Sequence, residues 1–193
     1  GWTSSYGQGW ANLSNVPFRL YKRFNHEGGI STPLIAHWPA GIKARGKVTH
    51  QVGHIVDVMA TCVDIAGAEY PAERNGKAIQ LMEGKSLAPI FGGNALGSQT
   101  LFWEHEGHRA VRDGHWKLVA EHQQPWELYD MSRDRSELRD ISVVNLQLTR
   151  KLERKWNEWA KRANVLPWED VKSRRKPRPV AADLKPIKIK VNR

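Results

Sequence analysis

The feature that most restricts this chain is a glycine pair, Gly28-Gly29, set between an aromatic and basic run and a short apolar segment. The stretch from Asn15 to Pro39 reads NVPFRLYKRFNHEGGISTPLIAHWP. Glycine tolerates positive φ and lets other backbone approach closely, so two in succession fix where the chain turns and what lies against it. Ahead of the pair, Pro17 opens VPFRLYKRF, in which Phe18, Tyr21 and Phe24 recur at helical spacing. A short helical or irregular piece leading into a site is expected there. Behind the pair, STPLIAHW is apolar and closed by Pro39, the pattern of a buried strand in an α/β domain. A charged side chain just before a glycine turn that feeds a core strand is a common way to present a functional group at a strand end.

Downstream, Ala40 to Lys47 reads as a turn-rich basic connection, and His54 to Ala66 as an amphipathic helix. Ile55, Val58, Met59, Cys62, Ile65 and Ala66 fall on one face at helical spacing, with Gly67 as the residue that ends it. Cys62 is therefore expected as a small core residue, and Asp57 as a helix-surface or tertiary hydrogen-bonding group. Glu69 to Gly97 is loop-rich, with apolar islands at 79–81 and 87–91, and reads as a seam. Beyond it the period changes to two. LFWEHEGHRAVRDGHWKLVAE divides into strands around Asp113-Gly114, a dipeptide suited to a type I′ turn. Trp126 to Met131 supplies another strand. Leu146 to Ala163 supplies a helix with Leu148, Leu152, Trp156, Trp159 and Ala163 on one face.

Several phrases of the chain resemble one family in the same order. GWANLSNVPFRLYKRFNHEGGISTPLIAHWPAGI, HIVDVMATCVDIAGAEYP, GKSLAPIF, LFWEHEGHRAVRDGHWKLV and ELYDMSRDRSELRDIS are similar to the arylsulfatase branch of the sulfatases, in the alkaline-phosphatase-like superfamily. The resemblance runs from Gly9 to Trp159. It implies an α/β fold, here its C-terminal part, with a small antiparallel sheet and a C-terminal helix as a subdomain. The implied division is residues 1–97 for the end of the catalytic domain, 98–165 for the subdomain and 166–193 for a basic tail.

Sulfatases of this kind cleave sulfate esters with a formylglycine made from Cys or Ser in a C/S-x-P-x-R motif. A divalent cation, usually calcium, is held by acidic residues near that motif and by an Asp-Asn-Gly segment. None of these motifs occurs in the chain. The resemblance thus implies that calcium and formylglycine belong to a part preceding it, that no metal is held by this chain, and that the chain alone is inactive. The family's sulfate-contacting lysine lies five residues before the Glu of its E-G-G turn, which is Lys22 before Glu27. An ammonium is a compact charge with three donors, suited to a developing oxyanion. His26 is expected as a packed or exposed histidine beside the site, Glu27 as a turn-fixing carboxylate, and Gly28 and Gly29 as backbone-conformation residues. Gly1 to Asn15 reads as a loop. In relatives such a loop borders the substrate pocket, which makes Tyr6 and Trp10 candidate pocket walls, and Glu104 and His105 candidates from the subdomain. The substrate class implied is a small-molecule or polysaccharide sulfate ester, and the location periplasmic or secreted.

Composition removes other classes. With 193 residues and 40% hydrophobic content the chain can bury a core of its own. No apolar run approaches the roughly eighteen residues of a membrane span. One cysteine gives neither an internal disulfide nor a thiolate cluster. His105, His108 and His115 lack a completing ligand set, with alternation placing 105 and 108 on opposite faces of a strand. The N-terminal residues lack the basic-then-apolar pattern of a signal peptide. The formal charge of +10 is concentrated at Leu166 to Arg193, where nine Lys and Arg stand against three acidic residues. A solvated or surface-draped tail is expected there, with attraction to an anionic polymer as its functional alternative. A basic nucleic-acid module is disfavoured, because the aromatic residues sit in the family phrases and no nucleic-acid fold signature occurs. A phosphonate or phosphate ester hydrolase of the same superfamily stays open, since Lys22 suits either oxyanion.

Overall fold

Twelve short elements carry the fold among residues 7–43 and 46–174, the residues that the computed structural model describes. In order they are α1 (Gly7–Leu13), α2 (Glu27–Ile30), α3 (Ile55–Ile65), β1 (Glu73–Arg74), β2 (Lys77–Ala78), α4 (Ala88–Phe91), β3 (Thr100–His105), β4 (His108–Asp113), β5 (Trp116–Ala120), β6 (Glu127–Asp130), α5 (Leu146–Arg162) and α6 (Trp168–Arg174). Two compact units divide them: Gly1–Ser31 with Phe102–Arg193, and Thr32–Leu101. The fold is α/β, with a small antiparallel sheet and a C-terminal helix.

In the first unit the sheet is a meander, β3-β4-β5-β6. Val111 faces Leu118 and Leu118 faces Leu128 across the strands, so these three share one side. They pack with Leu152, Trp156 and Ala160 of α5 into a core, flanked by Phe102, Trp126, Leu148 and Trp159. Each fully buried leucine contributes roughly 1.5–3 kcal/mol. The α5 face contains Leu148, Leu152, Trp156 and Trp159 as its spacing requires, but Ala160 rather than Ala163 completes the buried side. The indole N–H of Trp156 donates to the Trp103 carbonyl at 3.1 Å, and that of Trp126 to Glu153 Oε1 at 3.0 Å.

The turns differ from the expected ones. The LFWEHEGHRAVRDGHWKLVAE phrase makes three strands, because Glu106-Gly107 closes an additional hairpin with φ of +53° and +83°. That is the type I′ signature, at a pair that lacks the usual Asn or Asp in first place. Asp113 pairs with Trp116, so the second loop is Gly114-His115 and only Gly114 has positive φ, the pattern of type II′. His105 and His108 consequently flank a turn on neighbouring strands instead of lying on opposite faces of one strand. The loop expected over Gly1 to Asn15 contains α1. The described part of the basic tail contains α6, and 175–193 lies outside the described residues.

The opposite face of the sheet is polar at its centre. Lys117 of β5, fully buried, stands 3.0 Å from Glu27 Oε1 and 2.7 Å from Glu137 Oε1. Glu137 Oε2 also accepts from the Glu27 backbone N–H at 2.7 Å, at the start of α2. Burial opposes ionisation of Glu27, and the Lys117 ammonium, with Arg112 and Arg135, more than offsets it, leaving the carboxyl below its ordinary range. The short α2, too brief to be stable by itself, is thus fastened to the sheet by charge.

In the second unit α3 begins with a capping box between His54 and Asp57 and ends at Gly67 in a Schellman turn, Ala68 N–H donating to Val63 O at 3.0 Å. The side that it buries is the polar one. Asp57, fully buried, accepts from the N–H groups of His54 at 2.7 Å and Lys85 at 2.9 Å, and from Gln99 at 3.2 Å. Thr61 accepts from Leu87 N–H at 2.9 Å. The apolar face is exposed, Ile55 at 77%, with Met59 and Cys62 beside it, so Cys62 is no core residue here. STPLIAHW likewise forms no strand, and Ile35 is 89% exposed. Both departures share a cause: among the described residues no layer covers either apolar surface, so the satisfied carboxylate decides which side of α3 turns inward.

Leu128→Ala should lower stability by about 2–5 kcal/mol, read as a lower denaturant midpoint at unchanged slope. A loss below about 1 kcal/mol would contradict the core assigned to β6 and α5. Lys117→Met leaves Glu27 and Glu137 facing each other in the interior and should cost about 3–5 kcal/mol at neutral pH. Because the Glu27 pKa is depressed, its contribution is complete above the ordinary carboxylate pKa and is lost as pH falls through the folded one. The gap between parent and variant should therefore narrow in acid, and a gap that is constant with pH would contradict the ion pair.

Candidate functional site

Lys22 occupies the tip of a four-residue turn, Tyr21 to Phe24, closed by Phe24 N–H donating to Tyr21 O at 3.1 Å. Arg23, the third residue of the turn, has φ +104°, and Leu20 just before it has φ +65°. Side chains at such φ each cost about 1–3 kcal/mol and persist only where surrounding structure enforces them. Three sets of contacts do so.

The first is the glycine pair. A Cβ on Gly28 would run into the carbonyl oxygens of Arg19 and Leu20, and one on Gly29 into those of Phe24 and Tyr21. Neither glycine has positive φ. Their role is close approach: the Lys22 turn rests on α2 through bare backbone, and Gly28 N–H donates to Arg19 O at 2.9 Å.

The second is a polar clamp on β6. Glu127 Oε2 accepts from Arg19 Nη1 at 3.1 Å, from His26 Nε2 at 3.0 Å and from the Tyr129 hydroxyl at 2.7 Å. Arg19 Nη1 also reaches the Tyr129 hydroxyl at 2.9 Å and Glu137 O at 3.2 Å. Glu127 and Tyr129 share a strand face by alternation, which lets both act on one residue. Burial opposes the Glu127 charge, but the hydrogen bonds from His26 and Tyr129 and the Arg19 charge hold its carboxyl down to about 2. An ionised carboxylate only accepts, so His26 Nε2 carries a proton. Burial and the same carboxylate push the Tyr129 hydroxyl up.

The third set flanks the tip. Arg23 pairs with Glu106 of the β3–β4 turn at 2.9 Å, the Tyr21 and Phe24 rings meet edge to face at 5.3 Å, and Phe24 meets His108 at 4.9 Å. Lys22 itself is exposed and makes no hydrogen bond or ion pair among the described residues. The result is a fixed backbone presenting an exposed ammonium.

The structure brings Lys22, His26, Glu27, Gly28 and Gly29 into one region. Glu104 and His105 lie at the β3–β4 turn, where Glu104 accepts from Gly107 N–H at 2.8 Å and His105 is exposed. Both line a shallow cleft of about 390 Å³ with Asn164, Trp168 and Val171. Trp10 is exposed on α1, and Tyr6 lies outside the described residues. Among the described residues no group of three His, Cys, Asp or Glu side chains is arranged to hold a metal. The carboxylates of Glu27, Glu106 and Glu127 are each engaged by a cation, a donor set that does not fit calcium. No described helix is long and apolar enough to cross a membrane. Sequence reasoning missed Arg19, Lys117, Glu127, Tyr129 and Glu137. The signal for Lys117 was present: a lysine inside the apolar strand WKLVA is buried only if paired.

Residues 18–162 match the family described as N-sulphoglucosamine sulphohydrolase, C-terminal. An uncharacterized sulfatase from Schizosaccharomyces pombe is 31% identical over 159 residues, 78% of this chain and 28% of that protein. A sulfatase from Formosa agariphila is 30% identical over 174 residues, 79% of this chain and 31% of that protein. The N-acetylgalactosamine-6-sulfatase of Canis lupus familiaris is 37% identical over 90 residues, 47% of this chain and 16% of that enzyme. Among solved structures, Ps i-CgsB superposes with a TM-score of 0.64 at 27% identity, covering 77% of this chain and 34% of that one. The chain spans about a third or less of the length of these relatives. With residues 18–162 matched and this fold beneath them, the chain belongs to the N-sulphoglucosamine sulphohydrolase C-terminal family and forms a C-terminal portion of a sulfatase of the alkaline-phosphatase-like superfamily.

Proposed function

We propose that the full-length protein hydrolyses sulfate esters of carbohydrates and that Lys22 binds the sulfate group. The observation that carries this is the exposed ammonium, unpaired among the described residues, on a strained, buttressed turn. Such a backbone fixes the Cα from which the three N–H donors reach the sulfuryl oxygens, so that only the side chain is left to order as charge builds there. The glycine pair and the Glu127 clamp make the site stiff, and Lys22 supplies the positive charge for an anionic substrate.

A carbohydrate ester is favoured by two relatives. One is the N-acetylgalactosamine-6-sulfatase group, and Ps i-CgsB has been crystallised with k-i-k-neocarrahexaose. Calcium and formylglycine chemistry belongs to residues other than those described, and none of its steps is assigned to this chain. Within the chain, Lys22 would neutralise the bound sulfate, Glu127 and Arg19 would hold its loop, and Glu27 with Lys117 would seat the glycine pair beneath it.

Lys22→Ala in the full-length protein should lower kcat/KM on a sulfated oligosaccharide by on the order of a hundredfold, comparable to losing one oxyanion donor. Because the side chain is exposed, its thermal midpoint should stay close to that of the parent. Near-parental turnover in that variant would end the assignment. Turnover of a phosphate monoester in preference to every sulfate ester tried would replace the substrate class and leave the anion-binding role of Lys22 intact.

A further inference from the structure

We propose that Glu127 is the positioning residue of Lys22, its carboxylate gripping the chain on both sides of the turn that presents the ammonium. The inference rests on the reading of Lys22 as the sulfate-binding group and extends it to a residue far away in sequence. Arg19 lies three positions before Lys22 and His26 four positions after it, and both donate to the same oxygen, Glu127 Oε2, at 3.1 and 3.0 Å. Between these two anchors the backbone has no regular element, and it passes through positive φ at Leu20 and Arg23. A segment with that much strain relaxes unless its ends are held. One oxygen holds both.

The clamp is also built to resist loosening. His26 is 1% exposed, and Glu127 sits on β6, a strand paired with the buried β5, so the anchor moves only with the sheet. Tyr129 donates to the same Oε2 at 2.7 Å and stands 2.9 Å from Arg19 Nη1, orienting carboxylate and guanidinium together. Charge-assisted hydrogen bonds of this kind are about twice as strong as neutral ones, and a bifurcated grip adds direction to strength. Glu127 itself touches no substrate in this account and acts through where it puts Lys22.

The test uses the full-length protein and a readout independent of turnover. Acylation of the Lys22 amine by an amine-reactive ester, followed by peptide mapping, is measured against rising inorganic sulfate. Half-protection reports sulfate affinity at that one amine. In Glu127→Gln the half-protection concentration should rise about tenfold, the loss of roughly one charge-assisted hydrogen bond from the clamp. Protection in the parent with an unchanged half-point in folded Glu127→Gln would overturn the positioning role and spare Lys22. No protection in the parent would overturn the sulfate-binding reading of Lys22, and the positioning role with it. If Glu127→Gln does not fold, Tyr129→Phe removes one bond from the same oxygen and keeps the charge. It should shift the half-point by about threefold, and no shift would overturn the proposal. A double variant separates positioning from general damage: in a Lys22→Ala background, Glu127→Gln should reduce kcat/KM no further. A further fall as large as in the parent would mean that Glu127 acts by another route.

Discussion

A lysine ammonium sealed inside the sheet between two carboxylates is the constraint on which the rest of this structure depends. Removing Lys117, Glu27 and Glu137 from water costs several kcal/mol per ion, and apolar residues of similar size in their place would often be as stable. What the ion pairs supply is geometry. Two carboxylates arriving from different parts of the chain must meet one Nζ at 3.0 and 2.7 Å, which few alternative registers of β5 permit. Glu137, itself at φ +55°, adds a bond to the first N–H of α2. Once α2 is fixed in this way, the glycine pair is fixed, and the Lys22 turn has a floor.

Much of the C-terminal subdomain was legible because local rules agree with packing there. Period-two alternation marked the strands, and the α5 face was read within one turn of its true end. The turns were harder. Asp113-Gly114 looks like the stronger hairpin signal, yet Glu106, with an ordinary side chain, adopts positive φ at the additional turn because Gly107 follows it and Arg23 pairs with it. In the proposed site, Lys22 was singled out through the family resemblance alone. Its supports were not, since Arg19 and Glu127 are 108 residues apart and neither belongs to a local pattern. Long-range polar pairs leave no periodic trace. Only the misfit of a charged residue in an apolar strand, as at Lys117, betrays them.

The two misread segments teach a different lesson. The α3 face and the STPLIAHW run carry the periodicity of buried elements, and the described residues leave both exposed. Amphipathic patterning says that a surface is meant to be covered, without saying by what. The relatives are about three times longer than the stretch they share with this chain, so a covering layer in them need not come from this stretch. On α3 the polar side was decidable from chemistry instead. Asp57 lies three residues after His54 at a helix start, and a carboxylate there is drawn to backbone N–H groups.

Placement of the strain follows from these supports. Positive φ at Leu20 and Arg23 raises the free energy of the folded chain by a few kcal/mol, of the same order as one buried ion pair. A flexible loop would avoid that cost and let the ammonium wander, losing entropy each time an anion bound. Here the ordering is completed when the protein folds, through Glu127, the glycine pair and the Lys117 network, and none of it is left to the moment of binding. The side chain at the turn's tip is then the only part still free to move. Of the three cations between positions 19 and 23, Lys22 alone makes no ion pair among the described residues, since Arg19 and Arg23 are both engaged. Arg19 and Arg23 are spent on holding the loop, which is why the proposed anion-binding role falls to Lys22.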